Sequence, residues 1–106
     1  EQMDAVTALS GSGPAYFFRV VECLVEAAKA EGLPEDLATR LATQTLLGAG
    51  KLLKESGESA ATLRQRVTSK GGTTEAALRT FEELGLGRTL AAGVSAAAGR
   101  SRELGR

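Results

Sequence analysis

Glycine and proline divide this chain into stretches that each carry the spacing of an amphipathic helix. Apolar residues recur at three- and four-residue steps between the dividing segments, which are 10–14, 32–34, Gly57, 68–72 and Gly85. Residues 1–9 alternate over too few positions to indicate a strand, and no convincing pair of strands is present. The pattern therefore predicts one all-α domain over residues 1–106, a bundle of about five helices.

Capping residues and breakers set the predicted helix limits. The helices run from Pro14 to Glu31, from Pro34 to Ser56, from Ser59 to Val67, from Thr73 or Thr74 to Gly85, and from Gly87 or Arg88 to Arg102. In the first helix the charged residues form one narrow stripe, which predicts a central position for that helix. Gly48 and Gly50 interrupt the second helix. A glycine there costs up to about 1 kcal/mol relative to alanine, so we expect a close helix contact at this point.

Composition narrows the classes of function. The 13 basic and 13 acidic residues balance, so we expect neither nucleic acid nor a membrane surface as a partner. The chain has no histidine and one cysteine, Cys23, which removes histidine acid–base chemistry, the common metal sites and an intrachain disulfide. No apolar run reaches the roughly 18 residues of a membrane span. These features predict a cytoplasmic protein without a metal ion.

The apolar residues are mostly small, since aromatic residues make up 4% of the chain. A domain of roughly 100 residues covers its apolar surface poorly. Small side chains build a core only where backbones approach closely. We therefore expect a protein partner.

Two glycine motifs resemble nucleotide-binding sequences, but each lacks features that such a site requires. The run 11–13 begins like a dinucleotide fingerprint, but Tyr16 stands in place of the third glycine and no βαβ unit surrounds it. The run 48–51 ends in a lysine, but it lies inside a predicted helix, whereas a phosphate loop needs a turn whose amides point at the ligand. Neither motif predicts a nucleotide site.

Other reactive side chains of the first helix have structural explanations. Cys23 lies mid-helix beside a leucine, so we expect a buried and inert thiol. The aromatic run 16–18 is expected in the core, with the tyrosine hydroxyl at its edge. Glu22 and Glu26 share their stripe with basic residues, which is typical of a solvated face.

One loop carries the pattern of an anion site. Two glycines permit backbone shapes closed to other residues, and they precede a helix N-terminus whose first amides lack partners. Three hydroxyl side chains flank them, so the loop can hold a small carboxylate. The alternative is that the glycines only join two helices, with a threonine as cap and a solvated lysine. The loop consists of Ser69, Lys70, Gly71, Gly72, Thr73 and Thr74.

Two separate segments together point to a family. The segments 3–16 and 63–82 closely resemble the C-terminal domain of pyrroline-5-carboxylate reductases. The resemblance spans nearly the whole chain, with both motifs in the right order. It implies a helical domain like those of 6-phosphogluconate-dehydrogenase-like reductases, interlocked as a homodimer or larger homo-oligomer.

The resemblance also implies the chemistry. Such enzymes reduce 1-pyrroline-5-carboxylate to L-proline with NADPH or NADH, bound mainly by an N-terminal Rossmann domain that this chain lacks. Hydride comes from the cofactor, so no catalytic side chain is expected, and this chain alone should be inactive. The residues implied to bind the substrate carboxylate are Ser69, Gly71, Gly72, Thr73 and Thr74, and Thr74 also approaches the ring nitrogen. The residues implied to lie near the nicotinamide are Ser10, Gly11 and Ser12.

Two positions depart from the family pattern. Many relatives have a proline where this chain has Lys70, and a lysine is compatible with a bound carboxylate. Relatives also often have a proline near Ala60, where this chain offers Ser59 as a cap. Two alternative functions stay open: a non-catalytic dimerisation module, and the helical domain of another small-carboxylate or imine dehydrogenase. The latter normally brings a catalytic lysine on the first helix, which Lys29 does not supply convincingly.

Overall fold

The described part of the chain, residues 2–105 in this computed structural model, is helical and contains no strand. This confirms the predicted all-α class. The elements are α1 (Gln2–Val6), a π-helical segment (Thr7–Gly11), α2 (Gly13–Ala30), α3 (Glu35–Ser56), α4 (Ala60–Arg66), α5 (Thr73–Glu83) and α6 (Leu86–Leu104). The five predicted helices correspond to α2 through α6. No helix among these residues is both long enough and apolar enough to cross a bilayer.

The first eleven residues contain helical structure that the sequence pattern does not predict. The amide of Ser12 donates to the carbonyl of Thr7 at 2.9 Å, five residues back, which closes the π-helical segment. The hydroxyl of Ser10 donates to the carbonyl of Val6 at 3.0 Å. A five-residue α-helix followed by a π-turn is too short to display the 3.6-residue period, so contacts elsewhere in the chain must stabilise it.

Left-handed glycines end three helices, as predicted. Gly32, Gly57 and Gly85 have φ angles of 104°, 72° and 91°, a region that only glycine enters without strain. The predicted cap of α4 is also confirmed, because the Ser59 hydroxyl accepts a hydrogen bond from the amide of Thr62 at 3.1 Å.

The predicted threonine cap of α5 is wrong. Gly72 occupies the N-cap position, and no side chain caps the helix there. Thr73 and Thr74 lie one and two residues inside the helix, where their hydroxyls are past the position that a cap requires.

The described residues separate into two compact units, the first formed by residues 2–14 and 65–105. In this unit α6 packs against α1, the π-helical segment and α5. Ala8 is completely buried. The hydroxyl of Ser101 on α6 donates to the carboxylate of Asp4 on α1 at 2.7 Å. These contacts stabilise the short N-terminal helices that local pattern alone does not specify.

The second unit, residues 15–64, contains all of α3 and most of α2 and α4. Its buried apolar residues are Val25 and Ala38. The charged stripe of α2 is solvated as predicted, since the guanidinium of Arg19 pairs with Glu22 at 3.4 Å with both side chains exposed.

Much of the apolar surface is uncovered in the single chain. Nineteen large apolar side chains are exposed among the described residues, against three buried apolar residues. Phe17 and Phe18 on α2 are 56% and 66% exposed, and Cys23 is an exposed thiol. The predictions of a central first helix, core phenylalanines and a buried cysteine are therefore wrong for one chain, because none of residues 2–105 covers these side chains.

The surface around the glycines inside α3 is also uncovered. A Cβ atom built on Gly48 or Gly50 meets no other atom within 4 Å. The close helix contact expected at these glycines is thus absent among the residues that the structure describes. The surface around them is open to a second molecule.

We predict that Ser101→Ala lowers the free energy of unfolding by about 1 kcal/mol, because it removes the part-buried hydrogen bond to Asp4. Chemical denaturation at fixed protein concentration measures this. Ser95→Ala on the same helix is the control, since Ser95 is exposed. Equal stability of the two variants would contradict a stabilising role for the Ser101 bond.

Candidate functional site

The glycine loop before α5 forms a tight turn. The amide of Gly72 donates to the carbonyl of Ser69 at 3.0 Å, and Gly71, the third residue of the turn, has φ 75°. A positive φ at this position is that of a type II turn, where glycine is strongly preferred. A side chain at Gly72 would place its Cβ atom 3.2 Å from the backbone oxygen of Ser69. The turn therefore favours glycine at both positions, for different reasons: Gly71 has a left-handed φ, and a side chain at Gly72 would crowd the Ser69 oxygen.

The turn leads directly into the N-terminus of α5. The amides of Thr73, Thr74 and Glu75 have no acceptor within the described chain, as expected for the first three positions of a helix. Thr73 is exposed and Thr74 is half-buried. Unpaired amides at a helix N-terminus, with hydroxyls beside them, form a donor set suited to a carboxylate.

Glu75 is a member of this site that the sequence analysis gave no role. Its carboxylate oxygen accepts a hydrogen bond from the amide of Gly71 at 3.0 Å and a second one from the guanidinium of Arg79 at 3.3 Å. A sequence signal exists, because an acidic residue three positions after the N-cap is the spacing of a capping box. In that motif the acid binds the N-cap amide. Here the N-cap amide, that of Gly72, already donates to Ser69 within the turn. Glu75 therefore binds the amide of the preceding residue, Gly71.

The second predicted cluster has a different structure. Ser10 and Gly11 lie in the π-helical segment, and Ser12 follows it. The hydroxyl of Ser10 is engaged by the Val6 carbonyl. No hydrogen bond among the described residues joins this cluster to residues 69–74. Single π-helical turns occur frequently at functional sites.

The resolved pKa shifts lie far along the chain from the glycine loop, at the junction of α2 and α3. The carboxylate of Glu35, 2.9 Å from the ammonium of Lys29, has its pKa lowered by this hydrogen bond. The pKa of Lys29 is raised by Glu35 first and by Glu26 second. These groups are solvated, so they form a surface ion pair and not a reactive site.

An open groove of about 400 Å³ lies between α2 and α3. Its lining is apolar except for the threonine among Val20, Val21, Leu24, Ala28, Leu33, Ala38, Leu41, Ala42, Thr45, Leu46 and Ala49. A carboxylate needs donors that this lining does not provide. The groove is suited to apolar side chains of another protein surface.

The geometry thus defines a class: an all-helical domain with a large uncovered apolar surface and a loop whose amide and hydroxyl donors suit a carboxylate. The sequence profile described as pyrroline-5-carboxylate reductase dimerisation matches residues 1–104. The chain belongs to the pyrroline-5-carboxylate reductase dimerisation family.

Similar proteins agree with this assignment. The pyrroline-5-carboxylate reductase of Pisum sativum is 50% identical over 95% of this chain, and that of Pseudomonas aeruginosa is 47% identical over 97%. The chain spans 37% and 38% of the length of these two relatives.

Solved structures share the fold. The Plasmodium falciparum pyrroline carboxylate reductase, solved with NADP bound, superposes with a TM-score of 0.93 at 34% identity, covering 98% of this chain and 40% of that one. The Coxiella burnetii pyrroline-5-carboxylate reductase gives 0.93 at 45% identity, covering 97% and 38%. The chain therefore corresponds to one part of these longer proteins.

We predict that Gly71→Ala lowers the free energy of unfolding by about 1 kcal/mol, because alanine is strained at the left-handed φ of 75°. Gly87→Ala is the matched control, since a Cβ at Gly87 meets open space without a positive φ. Thermal unfolding of both variants checks this. An unchanged Gly71→Ala variant would show that the turn does not hold this conformation in solution.

Proposed function

We propose that this chain is the substrate-binding and dimerisation domain of a pyrroline-5-carboxylate reductase, which reduces 1-pyrroline-5-carboxylate to L-proline. The observation that carries the proposal is the donor set at the start of α5, where three amides lack acceptors in the described chain beside the hydroxyls of Thr73 and Thr74. Family membership supports it. The reducing group is NADPH or NADH, held mainly by an N-terminal nucleotide-binding domain.

When bound, NADPH or NADH would supply the hydride that reduces the carbon of the substrate's C=N bond, with a proton from solvent completing the reduction at nitrogen. The residues of this chain bind and orient the substrate for that transfer. The loop formed by residues 69–74 holds the carboxylate through backbone amides and hydroxyls. In the turn itself the amides of Gly71 and Gly72 already have acceptors. The two glycines thus contribute backbone shape, and the helix amides contribute the open donors.

Thr74 has the second role of binding the ring nitrogen. It is half-buried at the second position of α5, next to the open amides. A hydroxyl there can hydrogen-bond the nitrogen while the amides hold the carboxylate, which fixes the plane of the ring. Ser10, Gly11 and Ser12 form the proposed surface near the nicotinamide. A cytoplasmic location remains the sequence-based prediction.

A second copy of the chain completes the apolar core in this proposal. The uncovered side chains of α2 and α3, the groove between these helices and the open surface at Gly48 and Gly50 support it. Exposed apolar patches of this extent are typical of obligate interfaces. The helices of the two copies interlock, so that each covers the apolar groove of the other.

In the complete reductase, Thr74→Ala should lower kcat/KM for the imine by at least about ten-fold, the effect of losing a hydrogen bond that orients the reacting ring. Thr80→Ala is the control, because the Thr80 hydroxyl, on the same helix, binds only the Ala76 carbonyl. Steady-state kinetics with sedimentation of each variant measure activity and assembly. Full activity of Thr74→Ala would show that the Thr74 hydroxyl does not orient the substrate.

We also expect the chain to be a dimer or larger species at micromolar concentration in sedimentation velocity. Leu41→Asp places a charge in the apolar groove and should shift the chain towards monomer. Glu22→Ala on the solvated stripe of α2 should leave the assembly unchanged. A wild-type chain that sediments as a folded monomer would overturn the interlocked arrangement.

A further inference from the structure

The Glu75 carboxylate connects the glycine turn to the helix that follows it. It accepts from the amide of Gly71 at 3.0 Å and from Arg79 at 3.3 Å. We infer that Glu75 is a positioning residue for substrate binding, which fixes the turn so that the open amides of α5 stay grouped for a carboxylate. The inference rests on the proposed function, and it adds a residue to which the proposed mechanism gives no role.

The turn needs such a restraint because of its composition. Two consecutive glycines lose more backbone freedom on ordering than any other pair of residues. One backbone hydrogen bond, from Gly72 to Ser69, closes the turn on itself. The bond from Gly71 to Glu75 is the one side-chain hydrogen bond between the turn and α5 among the described residues. Without this bond the turn is less ordered in the free protein. Substrate binding must then order the turn, and the entropy cost of doing so weakens binding.

The charge of Glu75 acts in the opposite direction to its hydrogen bond. A carboxylate near a bound anion disfavours binding by repulsion. Its pairing with Arg79 offsets this only weakly, because the two side chains are 36% and 64% exposed. Loss of Glu75 therefore weakens binding if positioning dominates, and strengthens binding if repulsion, or occupation of the Gly71 donor, dominates.

Two substitutions separate these effects in the complete reductase. Glu75→Ala removes both the acceptor and the charge, and should raise KM for the imine about three- to ten-fold, with kcat within about two-fold. Glu75→Gln keeps an acceptor for the Gly71 amide and removes the charge, so its KM should equal or fall below that of the wild type. Glu82→Ala, which removes an exposed carboxylate from the same helix, is the control. An unchanged or lower KM in Glu75→Ala overturns the inference.

Amide hydrogen exchange in the 106-residue chain provides a readout that does not depend on activity. The Gly71 amide should exchange faster in Glu75→Ala and near the wild-type rate in Glu75→Gln. An unchanged rate in Glu75→Ala also overturns the inference. Glu75→Asp, whose shorter side chain falls short of the Gly71 amide, replaces Glu75→Ala if that variant folds poorly.

The two proposals fail in distinguishable ways. If Thr74→Ala keeps full activity, the proposed role of the Thr74 hydroxyl is wrong, whereas the positioning role of Glu75 is still decided by the KM and the Gly71 exchange rate of Glu75→Ala. If Thr74→Ala loses activity while Glu75→Ala matches the wild type, the loop binds substrate and the positioning role alone is wrong.

Discussion

Burial of apolar surface is the constraint on which this structure depends, and one chain satisfies it only in part. The side chains that pack fully are few and small, such as Ala8 and Ala38, whereas Phe18 and Leu24 are exposed. Burying a large apolar side chain contributes roughly 1.5–3 kcal/mol, so leaving many of them in water removes the main favourable term in folding. The stability of the helices therefore depends on whatever covers this surface, which in our proposal is a second copy of the chain. In that proposal the glycines inside α3, which cost helix stability, lie on the surface that the second copy covers.

The helices themselves were largely predictable from sequence because local signals specify them. Gly32, Gly57 and Gly85 adopt the left-handed shape expected at helix ends, and Ser59 caps α4. The N-terminal helices were not predictable, since they are too short for periodicity and depend on packing against α6. For a single chain, burial was predicted wrongly for Phe17, Phe18 and Cys23. An apolar helix face indicates that something covers it, but does not indicate whether the cover comes from the same chain.

The loop before α5 was likewise predictable from sequence in part only. Its glycines and hydroxyls make it a candidate anion site in the sequence, because their conformational and hydrogen-bonding properties are local, although the same pattern also fits a plain connection between two helices. The use of each amide is not local information. The carbonyl of Ser69 takes the Gly72 amide, and this displaces the acid of the capping-box pattern onto Gly71. Only the folded turn reveals that the open donors begin at Thr73.

The chain contains no histidine. This fits the proposed roles, in which the chain orients the substrate and a bound cofactor provides the hydride. A domain that supplies acid–base groups needs side chains with shifted pKa values in a cleft, whereas a domain that orients a substrate for hydride transfer needs fixed donors. Backbone amides at a helix N-terminus suit that task, because they carry partial positive charge at any pH and lose no side-chain entropy on binding. Their positions are only as fixed as the backbone that precedes them. A turn with two glycines is a flexible support, so in our proposal the side chain that restrains it affects substrate binding without touching the substrate.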